Sequence, residues 1–163
     1  MNLSWKYLLA IFGFAIAFPA TAVGTQLVWN SDFDSKRPSI TYGFADNADE
    51  PIILLDCGNF QNLRISIVEM GLPEDFLKDG NLTFFIDTIP FEVRADAYYS
   101  DYMGTYIPVV SADPSSDKWL DAFLTGSSAD IFLDGDRKVG FKDIDLRDLK
   151  PRAAELIRLC AAK

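Results

Sequence analysis

Histidine is absent from all 163 residues of the chain. That single gap removes Ser-His-Asp and Cys-His nucleophilic catalysis, histidine-ligated zinc and the commonest general base near neutral pH. Carboxylate-pair chemistry and calcium binding survive, because both need only oxygen atoms. Cysteine is nearly as scarce: Cys57 and Cys160 are the only two, spaced far wider than a C-x-x-C redox pair. Cations are in the minority, with 15 Lys and Arg against 24 Asp and Glu, a net charge of −9. Phosphate backbones and anionic lipid heads repel such a chain, which argues against nucleic-acid and membrane-surface partners. There is no glycine-rich phosphate cradle, no nucleophile elbow, no internal repeat and no low-complexity linker. No motif in the chain calls for a cofactor or a metal.

What is present begins at the N-terminus. Lys6 supplies one positive charge, Leu8 to Phe18 form an unbroken apolar run, and Ala20-Thr21-Ala22 gives a small-x-small cleavage pattern. The apolar run falls short of the roughly 20 residues that span a bilayer, so residues 1–22 read as a signal peptide cleaved after Ala22. Export to a periplasm or to the outside follows, with no stable membrane insertion after cleavage. Residues 23–163 then form a single domain, long enough for its own core, whose net charge is −10 because the leader holds one cation and no acid. In an oxidising compartment, two cysteines have one possible pairing, so Cys57 and Cys160 are expected to form a disulfide.

Hydropathy along residues 23–163 points to an α+β domain: an antiparallel β-sheet meander or sandwich, a short helix, and a C-terminal helix tied to the sheet by the disulfide. Residues 23–37 read as an exposed lead-in anchored by Trp29. SITYGFA alternates with period two, PIILLDC is a buried run ending on Cys57, and LRISIVEM sets Leu63, Ile65 and Ile67 against Arg64, Ser66 and Val68. A polar connector over 73–80 leads to NLTFFID and FEVRADAYY, two strands separated by Asp87 to Pro90. Tyr102 to Val110 is a further strand, which Pro108 places at an edge or makes irregular. Ser115 or Ser116 is the expected N-cap of a helix burying Trp119, Leu120, Phe123 and Leu124 and ending at Gly126. A hairpin turning at Asp134-Gly135 follows. Last comes a stripe of Leu146, Leu149, Ala153, Leu156 and Cys160, with regular helix over 151–161 because Pro151 limits its start.

Few residues carry chemistry. The segment from Phe132 to Asp143 fails as a calcium loop, since Phe132 and Arg137 stand where a carboxylate and a glycine are needed. Glu74/Asp75 and Asp113/Asp117/Asp121 could pair for glycoside cleavage, but the second set reads as the solvated face of a helix. Tyr98, Tyr99, Tyr102 and Tyr106, with Met103, form an aromatic cluster in an expected loop. Loops carry recognition residues and tyrosine makes amphipathic contacts, which marks this cluster as the expected binding surface.

The order of parts resembles the VasI-like family, periplasmic accessory proteins associated with type VI secretion. The residues that carry the likeness are Trp29 followed by Asp34-Ser35-Lys36, PIILLDC, LRISIV, DKWLDAFL, ADIFL, RKVGF and LKPRAAELIRLC. The invasion-associated locus B family, small disulfide-bearing secreted proteins, is similar in kind. This chain lacks the cysteine-bearing segment that VasI-like proteins carry before the tryptophan, and residues 142–150 read as an insertion before the last helix. Neither resemblance implies catalytic residues. Together these readings give a non-enzymatic exported binding or accessory protein of the bacterial envelope, contacting another protein. The acid excess offers an alternative, an inhibitor of a cationic enzyme such as lysozyme, and a carboxylate-only hydrolase comes third.

Overall fold

The computed structural model describes residues 26–34, 36–45, 51–58, 62–68, 70, 72, 80–101, 103–133 and 136–162. Residues 1–22, read above as a signal peptide, Tyr102, the connector over 73–79 with Glu74 and Asp75, and the turn at Asp134-Gly135 lie outside the described residues. The chain runs β1 (Leu27–Asp32), β2 (Ser39–Phe44), β3 (Pro51–Cys57), β4 (Leu63–Ile67), β5 (Asn81–Ile86), β6 (Ile89–Arg94), β7 (Asp96–Ser100) and β8 (Thr105–Ala112). It continues through α1 (Lys118–Thr125), β9 (Ser128–Leu133), β10 (Asp136–Asp145) and α2 (Leu149–Ala161). The strands form a six-stranded sheet in the order β1-β2-β3-β4-β8-β7 and a four-stranded sheet in the order β10-β9-β5-β6. Every pairing is antiparallel. The α+β, sandwich-like architecture is the one that the alternation implies.

Period two decides what each sheet buries. Along the six-stranded sheet, Tyr42 faces Ile53 and Ile53 faces Ile67, while Ile40 faces Leu55 and Leu55 faces Ile65. These residues share one buried cluster with Phe84, Ile131 and Leu82 of the second sheet and with Leu120, Phe123, Leu156 and Cys160 of the helices. Phe84 receives Trp119 at 5.0 Å and the edge of Phe123 at 5.8 Å, which seats α1 on β5. Helix α2 packs on β2 and β3 and touches α1. Cys57 and Cys160 are joined, with their Cα atoms 5.3 Å apart.

Several local expectations change. Residues 27–32 are no exposed lead-in but edge strand β1, from which Trp29 anchors in the core as expected, its ring tilted at 4.7 Å against Tyr42. The Trp29 indole N–H donates to the Asp145 carbonyl, joining the first strand to the end of the tenth. Burial raises the Tyr42 phenol above its usual pKa. FEVRADAYY is two strands, because the chain leaves the four-stranded sheet after Arg94 and enters the six-stranded one at Asp96. Strand β8 is internal despite Pro108, which lies just past the β4 ladder, whose last pair is Ser66 with Val109. The missing N–H therefore costs that ladder nothing.

Helix α1 begins after Asp117, not after a serine, because the Asp113 carboxylate draws the Ser115 N–H and the Ser115 and Ser116 hydroxyls into a turn. Asp113 and Asp117 are thus turn residues, and Asp121 alone of that trio lies on the helix. Helix α2 starts at Leu149, with Pro151 inside a first turn whose N–H groups have no intrahelical partners. Residues 142–145 complete strand β10. That strand bulges at Gly140, where φ is 158° and a Cβ would stand 2.0 Å from the Ile131 carbonyl oxygen.

Two predictions follow from this frame. The disulfide closes a loop of sequence separation 103, so replacing both cysteines with serine should lower unfolding free energy by about 2–5 kcal/mol in denaturant titration. At the β5–β6 turn, Asp87 and Thr88 have φ of 46° and 75°, the pattern of a two-residue hairpin that favours Asp-Gly. Thr88→Gly should raise stability by about 1 kcal/mol, read as an increased Tm.

Candidate functional site

The face of the six-stranded sheet turned away from the core carries the other half of each alternation. Leu54 stands opposite Ser66, and Ser66 opposite Val109. These three floor an open cleft of about 350 Å³, completed by Arg37, Arg64, Val68, Tyr98 and Ile107 among others. A second basin of about 510 Å³ shares Arg37, Arg64 and Tyr98 with it and adds Lys36, Asp56 and the chain at Cys57 and Gly58. The two make one depression, apolar-floored toward β8 and polar toward the β1–β2 connection that carries Lys36 and Arg37.

Arg64 is its centre. Asp56 lies directly across the β3–β4 pairing, and its two oxygens accept from Arg64 Nε (2.8 Å) and Nη2. Asp56 is buried to 8 % exposure, while the guanidinium is partly open to solvent. Hydrogen bonding to Asp56 raises the Arg64 pKa above its already high ordinary value, with partial burial acting the other way. Arg64 is therefore a fixed cation. The pair occupies Nε and Nη2, which leaves the Nη1 edge of the guanidinium outside it.

The tyrosines divide between two faces. Tyr98 and Tyr99 are consecutive on β7 and Tyr106 is on β8, so the cluster belongs to a hairpin and not to a loop. Tyr98 projects over the cleft and is exposed. Tyr99 pairs with Tyr106 on the opposite face, edge to face at 5.3 Å. Tyr98 is the one brought together with Arg64 and Arg37.

A third hollow, about 330 Å³, lies on the four-stranded sheet between Phe85, Thr88, Ser128, Asp130 and Asp143. One of its two carboxylates serves the backbone. Asp130 accepts the Asp143 N–H at 2.9 Å, where Asp143 bulges with φ 57°, and nearby Asp87 accepts the Ser127 and Ser128 N–H groups at 3.0 and 3.1 Å. Among the described residues, no three His, Cys, Asp or Glu side chains converge as a metal site would need.

No family model, no curated protein and no solved structure matches the chain.

Sequence reading passed over Arg37, Asp56 and Arg64 as site residues. The signal was there: Asp56 interrupts the apolar run PIILLDC, and Arg64 begins the outward half of LRISIV. A hairpin closing between Cys57 and Leu63 puts the two opposite each other. Arg64→Ala leaves the buried carboxylate unpaired and should cost about 1–3 kcal/mol in unfolding free energy. The Asp56→Ala/Arg64→Ala double variant should recover part of that loss; strict additivity of the two single losses would show that the pair is not coupled.

Proposed function

We propose that this protein is an exported, non-enzymatic binding or accessory protein of a bacterial envelope, and that it contacts another protein through the outer face of the six-stranded sheet at Tyr98 and Arg64. The observation that carries the reading is the open depression itself. An exposed aromatic ring stands beside a pre-oriented arginine on rigid strands. Tyrosine and arginine are the residue types enriched at protein interfaces, and sheet-borne groups are held in place before binding. Export is supported by the pattern of residues 1–22 and by a disulfide, a bond that persists in oxidising compartments. A place beside a type VI secretion apparatus belongs to this same reading, through the resemblance alone. The acid excess supports an inhibitor of a cationic enzyme, but that alternative draws no support from a depression lined by Lys36, Arg37 and Arg64.

Two measurements test the proposal. The mass of the exported chain should correspond to a start at Val23, and retention of residues 1–22 would overturn export. A photo-crosslinking amino acid in place of Tyr98 should give one discrete protein adduct in producing cells. The same probe in place of Glu92, exposed on β6 of the other sheet, should give none. Equal adducts at both positions, or none at position 98, would reject the surface.

A further inference from the structure

We infer that a second copy of this chain pairs with strand β7, edge to edge and antiparallel, so that two six-stranded sheets continue into each other. β7 ends its sheet, and among the described residues no strand pairs with its other side. The Leu72 N–H donates to the Tyr106 carbonyl at 2.9 Å, so Tyr106 turns its backbone groups away from β7. Pro108, two residues on, has no N–H to give β7 either. Opposite these two in the β7–β8 register stand Tyr99 and Ala97. Antiparallel strands alternate hydrogen-bonded with non-hydrogen-bonded pairs, so Ala97 and Tyr99 aim their N–H and C=O groups at the open edge. Such an edge is a template for another strand, and proteins that stay single blunt it. The other three sheet edges are blunted. β6 carries Pro90, Glu92 and Arg94, β10 shifts register twice, and β1 is tied by Trp29 to the Asp145 carbonyl and by Ser31 to Arg152. β7, with the sequence DAYYS, has no proline, lysine or bulge.

The strand is complementary to itself in one register. A two-fold axis through Tyr98 sets Ala97 of each copy opposite Tyr99 of the other, so both outward-aimed residues of each strand are hydrogen-bonded. Tyr98 then meets its twin as a non-hydrogen-bonded pair with Cα atoms about 4.5 Å apart, close enough for aromatic rings to interact across the strands. Tyr98 is 61 % exposed in the single chain, so its ring has that contact to gain. On the other face the small Ala97 side chain leaves room beside Tyr99, whose ring already meets Tyr106. The chain carries 24 acids against 15 cations, yet no carboxylate faces a carboxylate here: Asp96, the strand's only charge, falls opposite Ser100. The Ser100 hydroxyl accepts the Met103 N–H at 3.3 Å and keeps its proton to donate. Before Asp96 the pairing stops, because the Ala95 N–H donates to the Gly80 carbonyl. A seam this short falls below the roughly 1,200–2,000 Å² of stable interfaces, so the dimer is reversible. Both Tyr98 rings stay on the outer face, and each stands at the rim of its neighbour's depression.

Sedimentation velocity on the exported, disulfide-bonded chain, from about 10 to 500 µM, should show the mass rise reversibly from one copy to two. Acid-rich copies repel, so raising NaCl from about 0.05 to 0.5 M should tighten the association about threefold. Weakening by salt would mean that oppositely charged surfaces meet, and would overturn the seam. Ala97→Pro removes an outward N–H that β8 does not use, and should keep the chain single at every concentration with its Tm near that of the parent. Tyr98→Lys, at an exposed position, sets two cations face to face on the axis and should do the same, which covers the case of a proline that disturbs folding. Under mild oxidation Tyr98→Cys should form a disulfide between copies through position 98, whereas Ala97→Cys and Tyr99→Cys should not, since each faces the other residue type. Crosslinking at 97 or 99 in place of 98, or dimers that both blocking variants leave intact, would overturn the pairing. A chain single at every concentration would overturn it too, and loss of the cellular adduct in Ala97→Pro would then give the edge to a strand of a different protein. The contact reading fails or stands separately: an adduct at position 98 of twice the chain's mass is the dimer, and one of any other mass is the other protein.

Discussion

Consecutive residues at the end of β3 face opposite ways, and much of the molecule depends on that alternation. Cys57 follows Leu55 onto the inner face and is bonded to Cys160 of α2, which covers β2 and β3. Asp56 follows Leu54 onto the outer face and holds Arg64 across the β3–β4 pair. The covalent staple and the charged centre of the depression are thus adjacent in sequence and separated by the thickness of one sheet. A one-residue slip of β3 would send Asp56 into the core and the cysteine away from its partner. Fold and site share one register.

The same economy governs the carboxylates. An acid excess invites a reading in terms of catalysis, calcium or cationic partners, but several of these groups are occupied with their own backbone. Asp113 organises the turn before α1, Asp87 takes the N–H groups of Ser127 and Ser128, and Asp130 holds the bulge at Asp143. The Asp145 carboxyl is pulled down to about 2 by the Arg147 guanidinium and backbone N–H, while its carbonyl receives Trp29. These are connections between elements, made with short side chains that reach backbone donors in turns and bulges.

Period-two alternation made the strands legible, because each strand buries one face and the apolar residues record which. It also recorded the outward face of Arg64, Ser66 and Val68, though not its use, since a polar face alone says only that water or a partner lies there. Sheet membership was less accessible. FEVRADAYY alternates smoothly through Ala95, and the change of sheet there comes from tertiary packing that local hydropathy does not encode. β1 was hidden because an edge strand with one buried residue, Trp29, leaves little pattern. The tyrosines were found as a group but assigned to a loop. Their division between two faces needed the pairing of Tyr99 with Tyr106, and that pairing depends on where β7 meets β8.

Once that pairing is known, the aromatic hairpin has two separate purposes. Tyr99 and Tyr106 meet edge to face across the last pairs of the sheet, in the position where cross-strand aromatic contacts stabilise a hairpin end. Tyr98 has no share in that contact and holds its ring over the outer face instead. The edge-to-face pair therefore lies on one face of the hairpin and the exposed Tyr98 ring on the other. The aromatic contact at the hairpin end and the ring over the depression then come from consecutive residues of one strand, with alternation again assigning each its face.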